Sequence, residues 1–185
     1  MPRKRVTEAK LVETEAGLRP ESDGWFVVNV ADAAAWASEG AGYGWSFENR
    51  DARFPQFGIN VHVLQPGEPS TLYHAENNQE AFLVLHGECI LVVEEEERRL
   101  RQWDFFYAAP WTAHAFAGAG DGLCAILMVG ARNADEEIVY PVSEAAARHG
   151  ASVERETSSA ADAYAAAGWQ RPERARRPWP PGEAS

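Results

Sequence analysis

From residue 54 onward the chain is cut into short β-rich runs, and no other feature constrains its fold as strongly. The runs are "FGINVHVL" (57–64), "EAFLVLH" (80–86), "ECILVVE" (88–94), "RRLRQ" (98–102), "DFFYA" (104–108), "HAFAG" (114–118), "CAILMVG" (124–130) and "EEIVYPV" (136–142). Turn signals separate them: Pro66-Gly67, His86-Gly87, Ala109-Pro110 and the glycine-rich stretch 118–122. Many short strands at this spacing predict an antiparallel sandwich or barrel.

The flanks read differently. Residues 1–24 are polar and weakly patterned, an arm. "WFVVNV" (25–30) has strand composition, "ADAAAWA" (31–37) suits a turn or two of helix, and "EGAGYGWS" (39–46) is glycine punctuation. Beyond residue 142, "SEAAARHG" (143–150) carries a Ser143 cap, Glu144 in the first turn and a Gly150 stop. "SSAADAYAAAGW" (158–169) predicts a second short helix stopped at Gly168. The end, "RPERARRPWPPGEAS", is proline-rich and basic and reads as irregular. The expected division is an arm over 1–24, a β-rich unit over 25–142 and a tail over 143–185.

A chain of 185 residues suits one domain with extensions. Its formal net charge of -11 makes nucleic acid and anionic membrane surfaces poor partners. No apolar run approaches the roughly 18 residues of a membrane span. The basic start, Met1 to Arg5, is not followed by an apolar stretch, so no signal peptide is read and the cytoplasm is the expected location. Cys89 and Cys124 each sit inside an apolar run without a CxxC partner, and read as reduced, buried small residues.

The chemistry concentrates in "LYHAENNQEAFLVLHGE" (71–87). His74 and Glu76 share a face if residues 72–76 are extended, and Glu80 opens the next strand on the face of Phe82 and Val84. His114, which begins a strand after the "APWTA" turn, is the candidate fourth group. Two imidazoles and two carboxylates suit a divalent ion, and a cation offsets the cost of burying unpaired carboxylates. Taken singly, His74 could be a capped surface histidine, and Glu76 could face solvent and leave a two-histidine, one-carboxylate triad. His86 lies six residues beyond Glu80, roughly 20 Å along a strand, too far to share the ion. The run Glu94 to Glu97 resembles a metal cluster but reads better as a solvated hairpin tip. Trp103, Phe105 and Tyr107 read mostly as core, and His149 as a surface residue of the tail.

These residues resemble the cupin family. Its first motif, G-x5-H-x-H-x3,4-E-x6-G, is approximated by Gly67, His74 one place late, Glu76 where a second histidine would stand, Glu80 and Gly87. His114 fits the histidine of the second motif, G-x5-P-x-G-x2-H-x3-N, with Phe116 at a neighbouring hydrophobic position. The likeness spans about residues 57–130. It implies an all-β, antiparallel jelly-roll barrel with one divalent metal ion per chain (Zn, Mn or Fe) at its mouth. Several positions depart from the pattern. The second motif's glycines are Trp103 and Trp111, its proline is Ala109 with Pro110 beside it, and its asparagine is Gly118. Tryptophan does not supply positive φ cheaply, so a rebuilt turn around Trp111 is expected.

The expected ligands are therefore His74, Glu76, Glu80 and His114, and the expected pocket residues are Phe82, Trp111, Phe116 and His62, the last also open to a purely structural role. Three functions fit: a metal-dependent enzyme acting on a small organic molecule, a metal- or ligand-binding module without turnover, and a metal-free, epimerase-like cupin. Affinity for the ion should fall as histidines gain protons near 6.5. The resemblance also implies a homodimer, in which the 25–30 segment or the tail tryptophans Trp169 and Trp179 cover an edge.

Overall fold

The structure is a computed structural model that describes residues 5–49, 52–169, 172–174 and 176–177. The basic residues 1–4 and Trp179 lie outside the described residues. In chain order the strands are Leu11–Thr14 (β1), Gly17–Pro20 (β2), Ala34–Ala37 (β3), Tyr43–Ser46 (β4), Phe57–Leu64 (β5), Ala75–Glu76 (β6), Glu80–His86 (β7), Glu88–Val93 (β8), Glu96–Arg101 (β9), Phe105–Ala108 (β10), His114–Ala119 (β11), Cys124–Ala131 (β12), Ile138–Val139 (β13) and Glu173–Arg174 (β14). Two short helices, Glu144–Ala147 (α1) and Ala160–Ala166 (α2), lie between β13 and β14.

The strands pair antiparallel. One sheet has the order β10-β7-β12-β5-β4-β3-β14 and a second the order β11-β8-β9; β13-β6 and β1-β2 are two-stranded. The two larger sheets share one core, in which Leu64, Phe82, Val84, Leu91, Phe116 and Ile126 meet. Strand alternation explains the allocation. Along β5, Leu64 faces this core while Val61 and Val63 face the opposite side, against Trp45 and Ala125. At the end of β7, Gly87 has φ 69°, and an added Cβ would lie 2.2 Å from the Leu123 carbonyl oxygen. Only glycine fits that turn.

The N-terminal third departs from expectation. Residues 26–29 are not a strand: Val28 and Val30 pack on the outer face of the large sheet as a cover. Strand composition there reflects burial without pairing. Instead of a helix, residues 31–37 supply the end of a 3-10 turn capped by Asn29, followed by β3. The glycine-rich stretch contains β4. Within the arm, β1 and β2 form a hairpin tied to the sheet, with Ala35 N–H donating to Ala16 O at 3.0 Å.

The tail follows its caps. Ser143 accepts from Ala146 N–H at 2.9 Å, Ser159 accepts from Asp162 N–H at 3.2 Å, and Gly150 and Gly168 take positive φ. Glu94 and Glu95 form the β8-β9 tip in left-handed backbone, and Glu97 pairs with Arg148 at 2.8 Å. Both cysteines are free and buried. No helix among the described residues is long and apolar enough to cross a membrane.

The β10 aromatics correct another expectation. Phe106 and Ala108 turn inward, whereas Phe105, Tyr107 and Trp103 are 64%, 51% and 67% exposed. Trp103 and Trp111, at the family's glycine positions, keep positive φ of 75° and 69°. The turn is not rebuilt; two tryptophans adopt a backbone that glycine takes more easily.

Candidate metal centre

The site begins with a backbone pairing. His74 N–H donates to His114 O at 3.2 Å, and His114 N–H donates to His74 O at 2.9 Å. Residues so paired stand directly opposite with side chains on one face, and the two imidazole centroids lie 5.1 Å apart. Glu80 reaches the same point from the other sheet. Its neighbour on β12 is Gly130, so no side chain there competes for the space. His74, Glu80 and His114 each present a ligand atom within 4.8 Å of the others.

Hydrogen bonds orient both rings. His74 Nδ1 donates to Leu72 O at 2.7 Å and His114 Nδ1 donates to Thr112 O at 2.9 Å, since a carbonyl can only accept. Each ring is left with Nε2 as its free lone pair, the arrangement by which ligating histidines are held. His114 Nε2 lies 3.3 Å from a Glu80 carboxyl oxygen. A bare lone pair and an ionised oxygen at that distance repel, so a proton or a cation belongs between them.

The electrostatics agree. Burial holds His74 below the usual histidine range and brings His114 down to about 4, with the His74 charge adding to the effect. Burial, reinforced by Glu76 and Glu136, pushes Glu80 up to about 8. Burial and Glu136 also raise Glu76. Desolvated carboxyls with neutral imidazoles make a pocket that favours a cation. The nearby Arg132 does not supply that charge: it pairs with Glu48 at 2.6 Å and donates to Phe54 O at 2.7 Å.

The cavity in front of these groups measures about 330 Å³, and Phe82 and Phe116 line it. Glu76 lines it but stands outside the three-residue cluster. Trp111 does not line it; its left-handed backbone carries the indole outward, 48% exposed. His62 lines a neighbouring space instead. His86 is exposed, and His149 bonds Glu97 at 3.1 Å. Sequence reasoning missed Asn60, Ser70 and the Arg132–Glu48 pair at this cavity. Asn60 was findable, because it shares the β5 face of His62; the ion pair joins residues 84 positions apart and leaves no local signal.

Residues 60–130 match the family model described as a cupin domain. No curated protein sequence matches. Among solved structures, a cupin-superfamily sugar phosphate isomerase from Silicibacter pomeroyi aligns with a TM-score of 0.54 at 19% identity, over 61% of this chain and 80% of that one. The polyketide cyclase RemF from Streptomyces resistomycificus aligns with a TM-score of 0.50 at 15% identity, over 58% of this chain and 79% of that one. A candidate sugar phosphate isomerase from Acidithiobacillus ferrooxidans aligns with a TM-score of 0.48 at 25% identity, over 54% of this chain and 65% of that one. The first two likenesses bear on the fold and carry no activity across. The sequence match covers the segment that holds His74, Glu80 and His114, and the antiparallel β fold agrees with it: residues 60–130 resemble a cupin domain.

Proposed function

We propose that the protein binds one divalent metal ion through His74, Glu80 and His114 and uses it to hold a small organic molecule in the adjoining cavity. The observation that carries this reading is the pair of Nδ1-anchored imidazoles presenting free Nε2 atoms beside a raised carboxyl. Two nitrogens and one oxygen suit Mn, Fe or Zn. When bound, such an ion polarises a coordinated oxygen as a Lewis acid. The chain's residues do the rest: Leu72 O and Thr112 O fix the rings, Phe82 and Phe116 exclude water, and Glu76 is close enough to the cluster to act on its charge. Protein purified without added metal is expected to hold about one equivalent of a divalent ion, with bonds of about 2.0–2.2 Å. Elemental analysis checks it. His74→Ala should empty the site and His86→Ala should not; equal metal content in the two variants would defeat the reading.

We also infer a homodimer formed through β10. This strand is one end of the seven-stranded sheet, and it carries Phe105 and Tyr107 outward beside the exposed Trp103. An edge strand with an apolar outer face is a template for pairing. Two copies of β10 running antiparallel would be self-complementary. Left-handed backbone at Trp103 and Trp111 costs about 1–2 kcal/mol each, which indoles facing only water would not offset. Light scattering should give a dimer for the full chain and a monomer for Tyr107→Glu. A monomeric parent at tens of micromolar, or a dimeric variant, counts against this interface.

A further inference from the structure

The metal cavity opens onto a second space. That space measures about 640 Å³, and Asn60, Ser70, Thr71 and Met128 line both. One far wall comes from the large sheet. The β3-β4-β5 register places Trp36, Gly44 and His62 in a row. An added Cβ on Gly44 would meet the Trp36 ring at 2.9 Å, so the missing side chain lets the indole lie across to His62, with centroids 4.7 Å apart. The opposite wall is α2, which presents Ala161 and Ala165 one turn apart, flanked by Tyr164 and Trp169. Ala163 on the helix's other side is buried against Leu72 and Tyr140. Beside the Tyr164 ring, the other side chains that the helix turns to the space are the methyl groups of Ala160, Ala161 and Ala165.

The polar groups here are few and unspent. Ser70 Oγ and Asn60 Oδ1 are buried and without a hydrogen-bond partner among the described residues, and both residues stand where the two spaces join. Ser70 as a residue is only 4% exposed. His62 Nε2 donates to Ala41 O at 2.8 Å, which leaves Nδ1 as an acceptor. Buried polar groups in proteins are ordinarily paired, so unpaired ones at the waist of a cavity point to a ligand.

We propose that the two spaces form one binding site for an amphipathic small molecule, with an oxygen-bearing head at His74, Glu80 and His114, a hydrogen-bonding group between Asn60 and Ser70, and a flat apolar body between Trp36 and α2. Only the head rests on the metal reading. The body is assigned by the aromatic wall, whose faces favour stacked or edge-on rings, and by the alanines that keep the opposite wall back.

Two probes that each carry a hydroxyl and a carboxylate test it: 1-hydroxy-2-naphthoate, which has a flat body, and glycolate, which has none. Binding to the zinc-loaded full-length protein is followed by fluorescence or calorimetry. The naphthoate is expected to bind about tenfold tighter or more. Ala161→Trp and Ala165→Trp fill the space from exposed helix positions, and each should weaken the naphthoate about tenfold while leaving glycolate binding and zinc content unchanged. Equal affinity for the two probes, or naphthoate binding that neither tryptophan weakens, overturns the proposal. The metal reading fails separately. If chelator-treated protein still binds the naphthoate and both tryptophans still block it, the apolar chamber stands without the ion. If His74→Ala loses zinc while the tryptophans have no effect, the ion stands without the chamber.

Discussion

Glu80→Gln is expected to make the metal-free protein more stable at alkaline pH and to remove most of its metal affinity. The sign follows from the raised carboxyl. Glu80 titrates at about 8 in the fold against an ordinary 4.5. As pH rises above the ordinary value the unfolded chain gives up this proton first, so stability is lost between about 4.5 and 8 and the full loss persists above. At about 1.4 kcal/mol per pH unit this amounts to roughly 4 to 5 kcal/mol. Glutamine keeps the shape and has no charge to desolvate. Urea unfolding of chelator-treated parent and variant should show similar stabilities at pH 5 and a gap that widens to pH 8 and then levels. A gap independent of pH would show that Glu80 ionises freely in the fold. The same variant should bind the ion more than about 100-fold more weakly, beyond the range for losing an outer-shell partner. A stabilising substitution that disables a site is the usual sign that stability was given up for function.

Proton competition for the ion should come from Glu80 and not from the histidines. The sequence-based expectation was a fall in affinity near 6.5. Burial changes this: His114 stays neutral down to about 4, and His74 is also held below its ordinary value. One proton, that of Glu80, must leave when the ion binds below pH 8. Affinity is expected to level above about 8 and to fall about tenfold per pH unit below it, steepening only when the imidazoles begin to charge. Competition with a chelator of known affinity, measured from pH 5.5 to 9, gives this slope. Release of about one proton per ion at pH 7 is the calorimetric counterpart. A break near 6.5 with two protons released would return the titration to the histidines.

Much of this was legible along the chain. The runs and turns marked the strands that carry the site, although β7 and β11 are apolar on both faces, one meeting the shared core and the other a second cluster. A period of two puts His74 with Glu76, and Glu80 with Phe82 and Val84, on shared faces, whereas the choice of His114 rests on its place after the "APWTA" turn and on the cupin resemblance. The β10 aromatics were misplaced for the same reason inverted. With Phe105, Phe106 and Tyr107 in succession, both faces are aromatic and the period carries no facing signal. In residues 25–30, Val28 and Val30 are half-buried against the large sheet, and packing of that kind needs no ladder. Trp111 was assigned to the pocket from its nearness to His114 in sequence, and a left-handed backbone sends it elsewhere. Asn60 and Ser70 acquire meaning only when β5 and the loop after it are brought beside α2.

The pairing of His74 with His114 has a consequence for which ion the protein can hold. Their separation is inherited from two backbone hydrogen bonds, and side-chain substitutions nearby can stretch it little. Glu80 arrives from the other sheet with only Gly130 beside it on β12. The centre is a vice with one fixed jaw and one adjustable jaw. Exchanging the residue at position 80 changes the hardness and charge of the donor set without disturbing the register that positions the rings. If the centre holds an ion as proposed, exchange at position 80 is expected to shift its metal preference while the architecture stands still.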